Sequence, residues 1–110
     1  MSDTLERLYN VVVARRGGDV EKSYIAKRLK QGTPKIAQKV GEEAVETVIA
    51  AMEKDRDGVI NESADLLFHW LMLLVDQGVK VEEVMAELTR REGISGLDEK
   101  ANRKLKGSEG

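Results

Sequence analysis

Apolar residues recur along this chain at intervals of three and four, with glycines breaking the runs. Residues at those intervals share one face of an α-helix, so the pattern predicts a succession of helices. Leu5, Leu8 and Val12, widened by Val11 and continued by Arg15, predict a first helix over residues 4–16. Asp3 stands where it can cap that helix, with Glu6 as a capping-box partner, and Gly17-Gly18 ends it. After the loop GGDVEK, residues 23–31 predict a short second helix, with Ser23 as N-cap and Gly32 just past its end. The third helix opens on Thr33 as cap and on Pro34 at the first helical position, where a missing N–H costs nothing. Ile36, Val40, Ala44 and Val48 form its stripe, flanked by Ala37, Ala51 and Met52, and it extends to about Lys54.

Asp55-Arg56-Asp57-Gly58 reads as a turn. A fourth helix follows over residues 59–77 and stops at Gly78. Its second half, LLFHWLMLLV, is apolar nearly all round, which predicts burial on every side. A chain of 110 residues has little material to cover such a helix, and a second copy would supply it. The fifth helix, residues 81–91, sets Val81, Val84, Met85 and Leu88 against Glu82, Glu83 and Glu87, and Gly93 ends it. The tail GISGLDEKANRKLKGSEG begins as a turn and becomes polar. No sustained period-two alternation marks a strand. The prediction is one all-α domain over residues 1–110, ordered over about 5–104, with about five helices in a bundle completed by homodimerisation.

Composition narrows the partners. Eighteen basic and 20 acidic side chains leave a net charge of -2, so nothing global favours nucleic acid. The chain has no cysteine, which removes disulfides and thiolate metal ligands. The opening MSDTLERLYN lacks a basic stretch followed by an apolar one, so no signal peptide is expected. The longest near-continuous apolar run, residues 66–75, is about half of the roughly 20 residues a membrane span needs. A cytoplasmic protein without membrane or nucleic-acid partners is the expectation.

Two acidic segments stand out against this background. GEEAVE, residues 41–46, places Glu42, Glu43 and Glu46 together, and ESADLL, residues 62–67, adds Glu62 and Asp65. Both lie in helices joined by a short turn, so the helices are antiparallel neighbours and the two sets can face each other. Carboxylates gathered there repel, and burial raises their pKa values. A hard divalent cation, Mg²⁺ or Mn²⁺, resolves both problems with oxygen ligands alone. The ordinary alternative is a solvated acidic face laddered with Lys35 and Lys39. A di-iron bundle would need Glu-x-x-His on two helices, and the one histidine, His69, has no glutamate three residues before it. His69 reads as a satisfied core residue.

The spacing E-E-x-x-E followed by E-x-x-D resembles that of the all-α nucleoside triphosphate pyrophosphohydrolases, the MazG-like superfamily. KSYIAKRLKQG, PKIAQKVGEEAVETVIAA, ESADLLFHWLMLL and GISGLDEK together resemble the phosphoribosyl-ATP pyrophosphatase family of histidine biosynthesis, over about residues 5–104. The resemblance implies hydrolysis of phosphoribosyl-ATP to phosphoribosyl-AMP and pyrophosphate, with Mg²⁺, by a helical dimer. Carried over by position, it implies metal ligands at Glu43, Glu46, Glu62 and Asp65. Glu42 matches the first acid and takes the catalytic place, orienting or deprotonating water, with an outer or second-metal ligand as the other roles. Lys39, Lys35, Ser23, Tyr24 and Lys27 are the substrate-binding candidates, and Ser23 serves equally as a helix cap. Ile25 stands where the family usually has a small polar residue, which puts a polar contact there in doubt. The alternatives are a housecleaning pyrophosphohydrolase of free or damaged nucleoside triphosphates and a non-catalytic helical interaction module.

Overall fold

The structure, a computed structural model, describes residues 3–93, the side chain of Asp3 excepted. The expected Asp3 cap and the expected tail, with its GISGLDEK match, therefore lie outside the described residues. Five helices and no strand are found among the described residues: α1 Asp3–Arg15, α2 Tyr24–Lys30, α3 Thr33–Met52, α4 Arg56–Gln77 and α5 Val81–Arg91. The all-α expectation holds.

The long hairpin of α3 and α4 is the frame, and its turn is built from local hydrogen bonds. At the end of α3 the Lys54 N–H donates to the Ala51 carbonyl and the Asp55 N–H to the Ala50 carbonyl, each at 3.0 Å. That is a Schellman closure, with Lys54 in the left-handed region at φ 57 where glycine is usual. Asp55 then caps α4 at once, its carboxylate accepting the Gly58 N–H at 3.0 Å. The DRDG segment read as a turn is thus mostly the first turn of α4, which begins three residues early. A side chain at Gly58 would put its Cβ 2.5 Å from Asp55 Oδ2 and 3.2 Å from Ala50 Cβ. Glycine there lets the cap and the end of α3 close on each other. The far end of α4 uses the same closure, with Gly78 at φ 71 and Val79 N–H donating to Leu74 at 2.9 Å.

Thr33 does not cap α3. Gly32 precedes the helix, and the Thr33 hydroxyl instead donates to Asp76 Oδ2 at 2.6 Å, tying the start of α3 to the end of α4. Ser23 does cap α2, accepting the Ala26 N–H at 3.1 Å. In α5, Glu83 accepts the Lys80 N–H at 2.9 Å, and acids in the first turn with arginines in the last suit the helix dipole.

The core lies where α1, α2 and α5 cover the distal half of the hairpin. Val12, Ile36, Leu71, Met72 and Val81 are almost wholly enclosed there, joined by Val75. The Tyr9 hydroxyl reaches the Val79 carbonyl at 2.8 Å and pins α1 to the α4–α5 connection. Near the hairpin turn the α3 stripe is left uncovered. Ile36 is buried, but Val48 is 60% and Met52 79% exposed, with Val45 and Ile49 beside them. Leu67 on α4 is 44% exposed, so burial of the apolar run on every side is not achieved within one chain either. The reason is length: α1, α2 and α5 have 13, 7 and 11 residues against the 20 and 22 of the hairpin. By length and composition α4, at 22 residues, is sufficient to cross a membrane, more than its unbroken apolar run indicates. In this fold it is the central helix of the bundle, with five buried side chains and with Glu62 and Asp65 on its first half.

Candidate active site

The hairpin decides which acids meet. Because α3 and α4 are antiparallel, Glu43 on one comes level with Glu62 and Asp65 on the other. One carboxylate oxygen from each of these three lies within 4.8 Å of the others. Glu43 and Glu62 are half-buried and Asp65 is exposed. Desolvation pushes the Glu62 carboxyl up, a hydrogen bond with Glu43 adds to it, and the charges of Glu43, Asp65 and Glu46 follow. Carboxylates crowded in this way are relieved by a shared proton or by an added cation.

The other two expected ligands stand differently. Glu46, one turn after Glu43, is exposed and reaches Glu62 through its charge. Glu42 is exposed and turned to its own helix. Gln38 donates to its Oε2 at 2.7 Å, and Lys39 Nζ is 3.3 Å from its Oε1. These two hydrogen bonds, Gln38 first, hold Glu42 below the usual carboxylate range, and Lys35 adds to the effect. Lys39 also lies 3.7 Å from Glu43 Oε2, so its ammonium sits between Glu42 and Glu43 and is raised, chiefly by the Glu42 hydrogen bond. The lysine ladder considered from the sequence is present at Lys39 and coexists with the acidic cluster.

Of the remaining substrate candidates, Lys35 and Lys27 are exposed, and the Ser23 hydroxyl is engaged as the α2 cap. The Tyr24 hydroxyl is 2.6 Å from His69 Nε2, while His69 Nδ1 meets the Asp65 carbonyl at 2.8 Å. His69 is therefore a satisfied core residue, as expected, though joined to the acidic turn. Tyr24 and His69 are 45 residues apart, and no spacing rule links them. Thr47 makes the matching bond on α3, its hydroxyl donating to the Glu43 carbonyl at 2.8 Å. A separate cavity of about 350 Å³, lined by Arg16, Gly17, Gly18, Val20, Ala26, Leu29 and Lys30, includes none of the acids.

The donor set fits a hard divalent cation: three carboxylates from two helices, no sulfur, and open sides for water or phosphate oxygens. A sequence model of the family described as phosphoribosyl-ATP pyrophosphohydrolase matches residues 5–92. This chain belongs to that family. The match covers all five acids and every helix except the first two residues of α1. The chain is 58% identical over 103 residues to the phosphoribosyl-ATP pyrophosphatase of Rhizorhabdus wittichii, covering 94% of this chain and 97% of the relative. The phosphoribosyl-ATP pyrophosphatase of Parvibaculum lavamentivorans is 58% identical over 99 residues, 90% of this chain and 91% of its own. That of Paramagnetospirillum magneticum is 53% identical over 105 residues, 96% of each chain. As a member of this pyrophosphohydrolase family, the chain is a hydrolase of a phosphoanhydride, and its acidic cluster lies within the matched region.

Proposed function

We propose that this chain hydrolyses phosphoribosyl-ATP to phosphoribosyl-AMP and pyrophosphate, a step of L-histidine biosynthesis, at the Glu43–Glu62–Asp65 cluster. The observation that carries this reading is the convergence of three carboxylate oxygens within 4.8 Å in a chain of this family. Glu43, Glu62 and Asp65 would hold Mg²⁺ or Mn²⁺, with Glu46 beside them as a further ligand. When bound, such an ion neutralises phosphate charge and acidifies a water. The residues of the chain do the rest. The carboxylates orient the triphosphate through the site they form, and Lys39, with Lys35 a turn away, offers positive charge to the phosphates. Water adds to phosphorus as the α–β anhydride bond breaks, and pyrophosphate leaves. Glu42, held ionised by Gln38 and Lys39, is a weak base and a good acceptor, which suits orienting the water.

The same reading includes a homodimer. Val45, Val48, Ile49 and Met52 of α3 and Ile60 and Leu67 of α4 are exposed apolar side chains on the part of the hairpin the short helices leave uncovered. A second copy of the hairpin is the complementary partner for them. Val48→Asp should lower the sedimentation coefficient to that of one chain; an unchanged coefficient with the fold kept would remove this interface. We read residues 1–110 as one cytoplasmic domain acting on a small nucleotide, with neither nucleic acid nor membrane as partner.

The test of substrate is pyrophosphate release from phosphoribosyl-ATP beside a panel of common and damaged nucleoside triphosphates. Faster turnover of any of these would make the chain a housecleaning enzyme. Absence of cation-dependent hydrolysis of all of them would make it a binding module.

A further inference from the structure

His69 lies one turn beyond Asp65 on α4 and is 6% exposed. Its Nδ1 faces the Asp65 carbonyl oxygen at 2.8 Å, and its Nε2 faces the Tyr24 hydroxyl at 2.6 Å. A carbonyl only accepts, so Nδ1 carries a proton, and Nε2 can then accept the Tyr24 O–H. The Tyr24 oxygen accepts in turn from Arg28 Nε at 3.3 Å, and the Arg28 guanidinium lies 5.0 Å from the centre of the Tyr24 ring. Donors and acceptors thus run in one direction, from Arg28 through Tyr24 and His69 into the backbone under Asp65.

Packing alone does not account for this arrangement. An apolar residue at position 69 would fill the core without fixing the distance between α2 and the Asp65 turn. The Tyr24 ring is 45% exposed, so burial is a weak reason for its placement. It lies against Phe68, with centroids 6.4 Å apart, and meets the His69 ring edge-on at 5.7 Å. Both neighbours lie on the turn of α4 that follows Asp65. The contact therefore adjoins the acidic cluster through the turn of α4 that carries Asp65.

We propose that Tyr24 and His69 are positioning residues of the cation site: their hydrogen-bond chain docks α2 on α4 and fixes the turn that carries Asp65. The inference rests on reading Glu43, Glu62 and Asp65 as that site, and it deepens that reading by giving Tyr24 a partner within the protein in place of a substrate contact. Partners that orient metal ligands commonly change metal affinity or activity by about 10–100-fold when removed.

The experiment is Mn²⁺ binding to the full chain by electron paramagnetic resonance, beside ¹⁵N NMR of the histidine ring and steady-state kinetics. The unmodified protein should show the ring protonated at Nδ1 with Nε2 accepting a hydrogen bond. Tyr24→Phe keeps the ring and removes the hydroxyl. It should bind Mn²⁺ about tenfold more weakly, lower kcat with KM for phosphoribosyl-ATP unchanged, and shift the Nε2 resonance. His69→Gln keeps an acceptor for Tyr24 and should retain more Mn²⁺ affinity than His69→Leu. This pair carries the test if Tyr24→Phe does not fold. Mn²⁺ affinity unchanged in Tyr24→Phe or equal in the two His69 variants overturns the inference, as does a raised KM with kcat intact, which would return Tyr24 to the substrate. Should the unmodified protein bind Mn²⁺ without hydrolysing phosphoribosyl-ATP, the functional reading fails and the affinity comparison still decides the positioning role.

Discussion

Replacing Glu62 with glutamine should have opposite effects with and without a divalent cation. In the cation-free protein, desolvation raises the Glu62 carboxyl above its ordinary value, with Glu43, Asp65 and Glu46 adding to the shift. A raised folded-state pKa means that the stabilising, protonated form prevails below pH 4.5 and that its advantage is lost as pH rises through the raised value. Glutamine behaves as a carboxyl that never ionises. Cation-free Glu62→Gln should therefore melt higher than the unmodified chain at pH 7, and the difference should vanish below pH 4.5. Adding cation reverses the order. A cation at a hundred times its Kd stabilises the unmodified protein by about 2.7 kcal/mol, equivalent to roughly 10–20 °C in Tm for a domain of this size. Glu62 supplies one of the three clustered carboxylate oxygens. Its loss should weaken binding at least about a hundredfold, which at the same concentration leaves about 0.4 kcal/mol of stabilisation. Differential scanning calorimetry at pH 7 and pH 4, with and without Mn²⁺, measures all of this. A lower melting temperature for cation-free Glu62→Gln at pH 7, or a full Mn²⁺ shift in the variant, would refute the reasoning.

Three further predictions concern the fold. Lys54 in the left-handed region costs roughly 1–2 kcal/mol, and glycine gives back about 0.5–1 in unfolded-state entropy, so Lys54→Gly should stabilise by up to about 1.5 kcal/mol in urea unfolding. Ile36→Ala should lower stability in the same assay by about 2–5 kcal/mol, because Ile36 is 1% exposed in the core. Arg90 and Arg91 hold the Glu87 carboxyl down at about 2, so whatever that cluster contributes is complete above pH 4.5 and lost as pH falls towards 2. The Tm difference between the unmodified chain and Glu87→Gln should accordingly be small at pH 7, as befits exposed ion pairs, and close over that window.

The helices were legible because helical spacing is local. The residues that Ser23 and Gly78 mark as ends are ends, since a cap and a left-handed closure need only their own neighbours. Thr33 misled because a hydroxyl before a proline has the right chemistry for a cap, and its actual partner, Asp76, lies 43 residues away. Asp57-Gly58 misled as turn residues because the glycine answers a close approach of Asp55 and Ala50, which sequence does not display. Val48 continued the stripe of Ile36, but periodicity says which face a residue shares and not how far the covering helices extend. The same limit applies to the acids. Spacing put five carboxylates on adjoining helices, whereas the rotation and register of α3 against α4 select Glu43 over Glu42. The link from Tyr24 through His69 to the Asp65 turn exists only in three dimensions.

The most direct test of the central claim is the rate of pyrophosphate release from phosphoribosyl-ATP with Mg²⁺, for the unmodified chain and for Asp65→Asn. Asp65 is exposed, so the substitution should leave the helical circular dichroism intact. The account predicts efficient release by the unmodified protein and a loss of at least about a hundredfold in the folded variant, as expected when a cation ligand at a phosphoryl-transfer site is neutralised. Equal rates from the two proteins would contradict the assignment of catalysis to the Glu43–Glu62–Asp65 cluster.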